Sequence, residues 1–121
     1  MHYYSMDLHQ TKESSILKEK NTEVLTMKVA DFLASCQGIN GQLAVYFEVA
    51  KIPLSITKLT YVANTNILYL QTSAQPAINL HSLCQQLGHL TPDSTLKFQT
   101  SQLEEYNIYG FKITTEKLLL A

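Results

Sequence analysis

The chain reads as an α+β protein: a two-layer sandwich in which two helices cover one face of a mostly antiparallel sheet of about six strands. Apolar residues recur at helical spacing in two places, roughly 51 residues apart. Each helical stripe precedes a stretch that alternates apolar and polar, as a half-buried strand does. Each half then closes on two apolar runs that flank a short turn, the pattern of a hairpin.

Residues 1–22 read as a polar mobile arm. Gln10 to Ser15 and Lys18 to Thr22 flank one apolar pair, Ile16 and Leu17, too little surface to offset the entropy of ordering the segment. The alternative is a segment that docks on the body or a partner through that pair. Residues 23–121 read as a single domain made of two degenerate repeats, about 26–73 and 77–121.

In the first repeat Val29, Phe32, Leu33 and Cys36 form the helical stripe, and Gly38-Ile39-Asn40-Gly41 stops it. Leu43, Val45, Phe47 and Val49 then alternate with Ala44, Tyr46 and Glu48. Two runs, Ile56 to Ala63 and Asn66 to Thr72, flank Asn64-Thr65, with Asn64 suited to positive φ. Counting outward pairs Tyr61 with Leu68 and Leu59 with Leu70. The second repeat has Leu80, Leu83, Cys84 and Leu87 at the same offsets, then Gly88 to Asp93 as a turn. Leu96 and Phe98 alternate with Lys97 and Gln99. The last hairpin, around Thr115-Glu116, pairs Ile113 with Leu118 and Phe111 with Leu120. The order helix, turn, strand, loop, hairpin is similar to small bacterial and phage domains of unknown function. Leu80, Leu83, Leu87, Pro92-Asp93 and the alternating strand carry the likeness over about half the chain, and it implies no activity.

Composition narrows the function classes. All nine basic residues are lysine; arginine and tryptophan are absent, and the net charge is -1. The guanidinium fork that holds phosphate, carboxylate or guanine is not available to the chain. Residues 24–121 hold six lysines against six acids, so there is no basic groove for nucleic acid. No apolar run approaches the roughly 18 residues that span a bilayer, so no membrane partner is expected. The start of the chain lacks a basic and an apolar signal region. Cys36 and Cys84 sit on apolar stripes and read as reduced core thiols, with the cytoplasm taken as the default compartment.

No motif carries chemistry. His81 and Cys84, three residues apart on a helix, have the spacing of a thiolate–imidazole dyad, yet Cys84 belongs to the core stripe. No metal-ligand spacing occurs, no two carboxylates stand at acid–base spacing, and the four glycines form no phosphate cradle. No catalytic residue, cofactor or metal is therefore expected, and the chain is read as non-enzymatic. The one positive lead is the sheet face turned away from the helices, where Tyr46, Val62, Ile67, Tyr69 and Leu119 interrupt polar residues. A second copy of the chain or the N-terminal arm is the expected cover, and the first makes the protein a homodimer or protein-interaction module. The alternative is a small-molecule-binding regulatory domain, with a pocket near Pro53 and Glu104-Glu105.

Overall fold

The computed structural model describes residues 2–5 and 26–121. Most of the expected arm lies outside the described residues; within it, His2–Ser5 form strand β1. The remaining elements are α1 (Val29–Ser35), β2 (Ala44–Val49), β3 (Ile52–Ser55), β4 (Lys58–Val62), β5 (Ile67–Gln71), α2 (Leu80–Leu87), β6 (Thr95–Gln99), β7 (Glu105–Asn107), β8 (Gly110–Ile113) and β9 (Lys117–Leu120). The fold is α+β.

The apolar spacing fixes the helices as expected. Val29 and Phe32 of α1 are buried, with Cys36 at its C-terminal cap, and α2 buries Leu80, Leu83 and Leu87. Asn79 caps α2 by accepting a hydrogen bond from Ser82 N at 2.8 Å. Gly38 lies in the left-handed region at φ 82°, which ends α1 without steric cost. Gly88 stays right-handed at φ −65°, so only one of the two glycine stops uses that freedom.

Hairpin registers also follow the apolar pattern. Leu59 pairs with Leu70, Tyr61 with Leu68, Phe111 with Leu120 and Ile113 with Leu118. The first turn spans one residue more on each side than Asn64-Thr65, and Asn66, at φ 56°, takes the positive φ expected of Asn64.

The sheet arrangement departs from the expectation of one mostly antiparallel sheet of about six strands. Two mixed sheets form instead: five strands in the order β1-β8-β9-β2-β3, and four in the order β4-β5-β6-β7. The cause is where each hairpin goes. Hairpin β4–β5 places β5 parallel to β6, and hairpin β8–β9 places β9 parallel to β2, so each hairpin joins the other half of the chain. Alternation decides which face a residue occupies and is silent about which strand lies beside it. Two short strands also stand where the sequence pattern shows only connections. β3 carries Pro53 and β7 is three residues long, and both lie at sheet edges, where such strands are tolerated.

The helix starts are tied down across the halves. Val29 N and Ala30 N donate to the carbonyls of Ser94 and Pro92, both at 2.9 Å; Leu80 N and His81 N donate to Leu43 and Gly41, also at 2.9 Å. Leu96 N donates to Met27 O at 2.9 Å, and Val45 N to Ile78 O at 3.0 Å. The bonds at the helix starts satisfy donors that every helix N-terminus leaves open. Between the sheets the rings of Phe47 and Phe98 stack, 4.4 Å apart and 15° from parallel, while Phe32 of α1 meets Phe111 of β8 edge-on at 6.0 Å. One buried core draws on both helices and both sheets.

Ala50 and Lys51 connect β2 to β3 as a two-residue hairpin loop, both at positive φ (53° and 69°). That turn favours Asn-Gly, and left-handed backbone costs other L-residues about 1 kcal/mol or more each. The double substitution A50N with K51G is expected to stabilise the fold by about 1–2 kcal/mol, read from urea or thermal melts. Truncating Phe98 to alanine is expected to cost about 3–5 kcal/mol, and F47A likewise. Because the two rings stack on each other, the double variant should lose less than the two single losses added together.

Candidate functional site

The outward face of the four-stranded sheet carries a connected set of polar and aromatic side chains. Strand pairing sets its side chains in rows: Val62, Ile67 and Thr95; Thr60, Tyr69, Lys97 and Asn107; Lys58, Gln71, Gln99 and Glu105. Period-2 geometry puts every member of a row on one face. Hydrogen bonds then run within and between rows. Thr60 Oγ1 donates to Gln71 Oε1 at 2.7 Å, and Gln71 Nε2 to Gln99 Oε1 at 2.6 Å. The Tyr69 hydroxyl donates to Glu105 Oε2 at 3.1 Å, and Lys97 Nζ stands 3.7 Å from Glu105 Oε1. Partial burial first, and then the carboxylate it donates to, push the Tyr69 phenol above its ordinary range. Its hydroxyl therefore keeps its proton and works as a hydrogen-bond donor.

The five interface residues expected from sequence divide between the sheets. Val62, Ile67 and Tyr69 share the face just described, all half-buried. Tyr46 and Leu119 are neighbours on the five-stranded sheet. There Leu119 is only 6% exposed, the Lys117 ammonium lies 5.0 Å from the centre of the Tyr46 ring, and Lys112 stands 3.6 Å from Glu48. Of the residues named for a small-molecule pocket, Pro53 is in β3 of one sheet and Glu105 in β7 of the other.

Two further clusters escape the sequence pattern. The first surrounds the side-chain oxygen of Asn66, which accepts from Tyr61 OH at 2.7 Å, Ser94 Oγ at 2.8 Å and Thr91 Oγ1 at 3.3 Å. Ser94 is fully buried, so these bonds satisfy a hydroxyl that would otherwise be stranded. They also lock the β4–β5 turn onto the turn before β6. The available signal is an asparagine at positive φ in that turn, and the pattern assigns it to Asn64 instead of Asn66. The second is a pair of free thiols on the two helices, Cys36 at the C-terminal cap of α1 and Cys84 within α2. The neighbouring Cys84 and then burial push the Cys36 thiol far above the ordinary thiol range, and the neighbouring Cys36 draws Cys84 down. Both positions stand on the apolar stripes of helices that pack together.

Among the described residues, no three His, Cys, Asp or Glu side chains stand close enough to share a metal ion. No described helix is long and apolar enough to cross a membrane.

Removing the charge with E105Q is expected to lower the Tyr69 titration midpoint toward the ordinary phenol value, read from phenolate absorbance. The sign for stability follows. A phenol whose folded pKa is raised stabilises the fold fully below its unfolded value of about 10. The contribution disappears as pH rises through the folded value. Alkaline melts of the wild type should therefore fall more steeply above pH ~10 than those of Y69F.

No protein-family model, curated protein or solved structure matches this chain.

Proposed function

We propose that the protein is a non-enzymatic, cytoplasmic interaction module that pairs with a second copy of itself, and that its body is one unit duplicated within the chain. The duplication is supported by the interlocking contacts. The bonds at Val29, Ala30 and Leu96 have counterparts at Leu80, His81 and Val45, and the bridge Lys28–Thr95 has a counterpart in Asn79–Ala44. Thr57 N donates to Gln71 O as Tyr109 N does to Ala121 O, each at 2.8 Å. Hairpin β4–β5 then corresponds to hairpin β8–β9. The unbridged thiols fit a reducing compartment.

One observation carries the self-association. The outer edge of β8 is covered by β1, which pairs antiparallel from His2 opposite Ile113 to Ser5 opposite Gly110. The corresponding edge, on β4, has no strand beside it among the described residues. An uncovered edge presents backbone donors and acceptors to any extended strand, and β4 carries no proline and one charge, Lys58, to discourage that. A second β4, antiparallel about Thr60, would set Leu59 of each copy opposite Tyr61 of the other. Tyr61 is 38% exposed although it belongs to the inner row of its strand, and this pairing would cover it.

Size exclusion with light scattering tests the proposal. The wild type is expected to run as a dimer. T60K, which places like charges opposite each other at the two-fold axis, should run as a monomer with unchanged circular dichroism. A wild type that stays monomeric at all concentrations would overturn self-association. A dimer that survives T60K and is lost in Y69E would move the interface from the edge to the outward face.

A further inference from the structure

We propose that Asn40 is a site of covalent modification: in the folded protein its side-chain amide cyclises onto Gly41 N, and the turn converts to isoaspartate. The sequence singles out this asparagine. Asn21, Asn64, Asn66, Asn79 and Asn107 precede threonine, isoleucine or leucine, whose side chains crowd the following nitrogen, whereas Asn40 precedes glycine. The structure then presents the turn in a reactive form. Asn40 is exposed, and its Oδ1 accepts a hydrogen bond from Gln42 N at 2.9 Å. That donor is aimed at the oxygen on which negative charge develops when the amide carbon is attacked. The same bond closes an Asx turn, whose ring of atoms contains both the side-chain carbon and Gly41 N. Among the described residues neither Gly41 N nor Asn40 Nδ2 donates a hydrogen bond, so the fold ties down neither nucleophile nor leaving group. The matching turn of the other half has Thr91-Pro92 at this place, since Pro92 O holds Ala30 N as Gly41 O holds His81 N. It has no side-chain amide and no N–H to attack it with.

The reaction needs only water and base. Gly41 N gives its proton to hydroxide and attacks Asn40 Cγ, forming the N–C bond of a five-membered succinimide. The bond from Cγ to Nδ2 breaks, and the nitrogen takes a proton from water and leaves as ammonia. A second water opens the ring. Attack at Cγ leaves aspartate, and attack at the backbone carbonyl leaves isoaspartate, in which the chain runs through Cβ and Cγ. No oxidation state changes. Isoaspartate lengthens the backbone by one carbon beside a carbonyl that the fold uses, because Gly41 O accepts from His81 N at 2.9 Å at the start of α2. The turn has little room to absorb the extra atom: a Cβ on Gly41 would stand 3.0 Å from that of His81. Ageing at Asn40 therefore loosens one of the two cross-half anchors of the fold.

The test does not rest on self-association. Full-length protein is held at physiological temperature and mildly alkaline pH, with and without unfolding urea, then cleaved after lysine at mildly acidic pH. The peptide 29–51 contains one asparagine, Asn40. It is expected to gain the mass of an acid in place of an amide, and to become a substrate for an isoaspartate-specific carboxyl methyltransferase. The gain should be about tenfold faster than at any other asparagine. N40S, which keeps an oxygen for Gln42 N, should show none. The aged form, separable by its extra negative charge, should melt on the order of 5 °C lower. A mass gain that is absent, or that persists in N40S, would overturn the proposal. So would a folded protein that ages more than about tenfold more slowly than the unfolded chain, because the reaction would then belong to transient opening. An aged form that melts with the unaged one would overturn the role given to the turn in anchoring α2.

Discussion

The structure depends on an exchange of backbone hydrogen bonds between the two halves of the chain. Each helix begins with N–H groups that its own turns cannot satisfy, and each finds the carbonyls it needs in the other half: α1 at Pro92 and Ser94, α2 at Gly41 and Leu43. Each hairpin completes a sheet begun by the other half, through the parallel pairs β2–β9 and β5–β6. With the helix starts and hairpins both committed across the divide, neither half retains a complete sheet or a fully satisfied helix start by itself. The stack of Phe47 on Phe98 joins the first strands of the two halves at the centre of the core. These contacts are long-range in sequence, so their loop-closure cost falls due before any of them forms, and the chain gains its stability as a unit.

Much of the local structure was legible because it obeys short-range rules. Val29, Phe32, Leu80, Leu83 and Leu87 announce their helices by spacing, and their burial follows. The pairings of Leu59 with Leu70 and of Phe111 with Leu120 follow from matching apolar positions across a turn. Strand neighbours were not legible. Leu68 and Leu96 carry nothing that says they will lie side by side and parallel, because a parallel partner is chosen by the whole packing and not by a turn. For the same reason β3 and β7 pass as connections: Ile52–Ser55 and Glu105–Asn107 are too short and too polar or proline-bearing to show alternation.

The candidate site was legible in its parity and not in its burial. Thr60, Val62, Ile67 and Tyr69 do share the outward face, since period 2 leaves no other choice. How covered each becomes depends on lateral neighbours. Tyr69 is half-buried among Lys97, Thr60 and the carboxylate of Glu105, all supplied by strands whose full arrangement alternation alone could not set. Tyr61 shows the opposite effect: it belongs to the inner row, yet at an edge strand the core does not extend far enough to cover it. The thiol pair illustrates the same limit. Each cysteine reads singly as a small hydrophobe, and only the packing of α1 against α2 makes them neighbours.

On the proposed duplication, the places where the halves differ become the informative ones. Contacts common to both halves are the ones folding needs, and they recur because both copies must build them. Differences are free of that constraint. Asn66 gathers three hydroxyls at the end of β5's hairpin, and its counterpart before β9 is Glu116, exposed and outside any such cluster. One hairpin edge carries β1 and the other is uncovered among the described residues. On the helices, position 36 is a cysteine in the first stripe where the second has Leu87, and position 84 is a cysteine where the first has Leu33. A duplicated thiol would have placed four sulfurs on the helix stripes; instead each half contributes one, at non-equivalent positions. Equivalence therefore accounts for the frame of this protein, and its chemistry is to be sought where equivalence breaks.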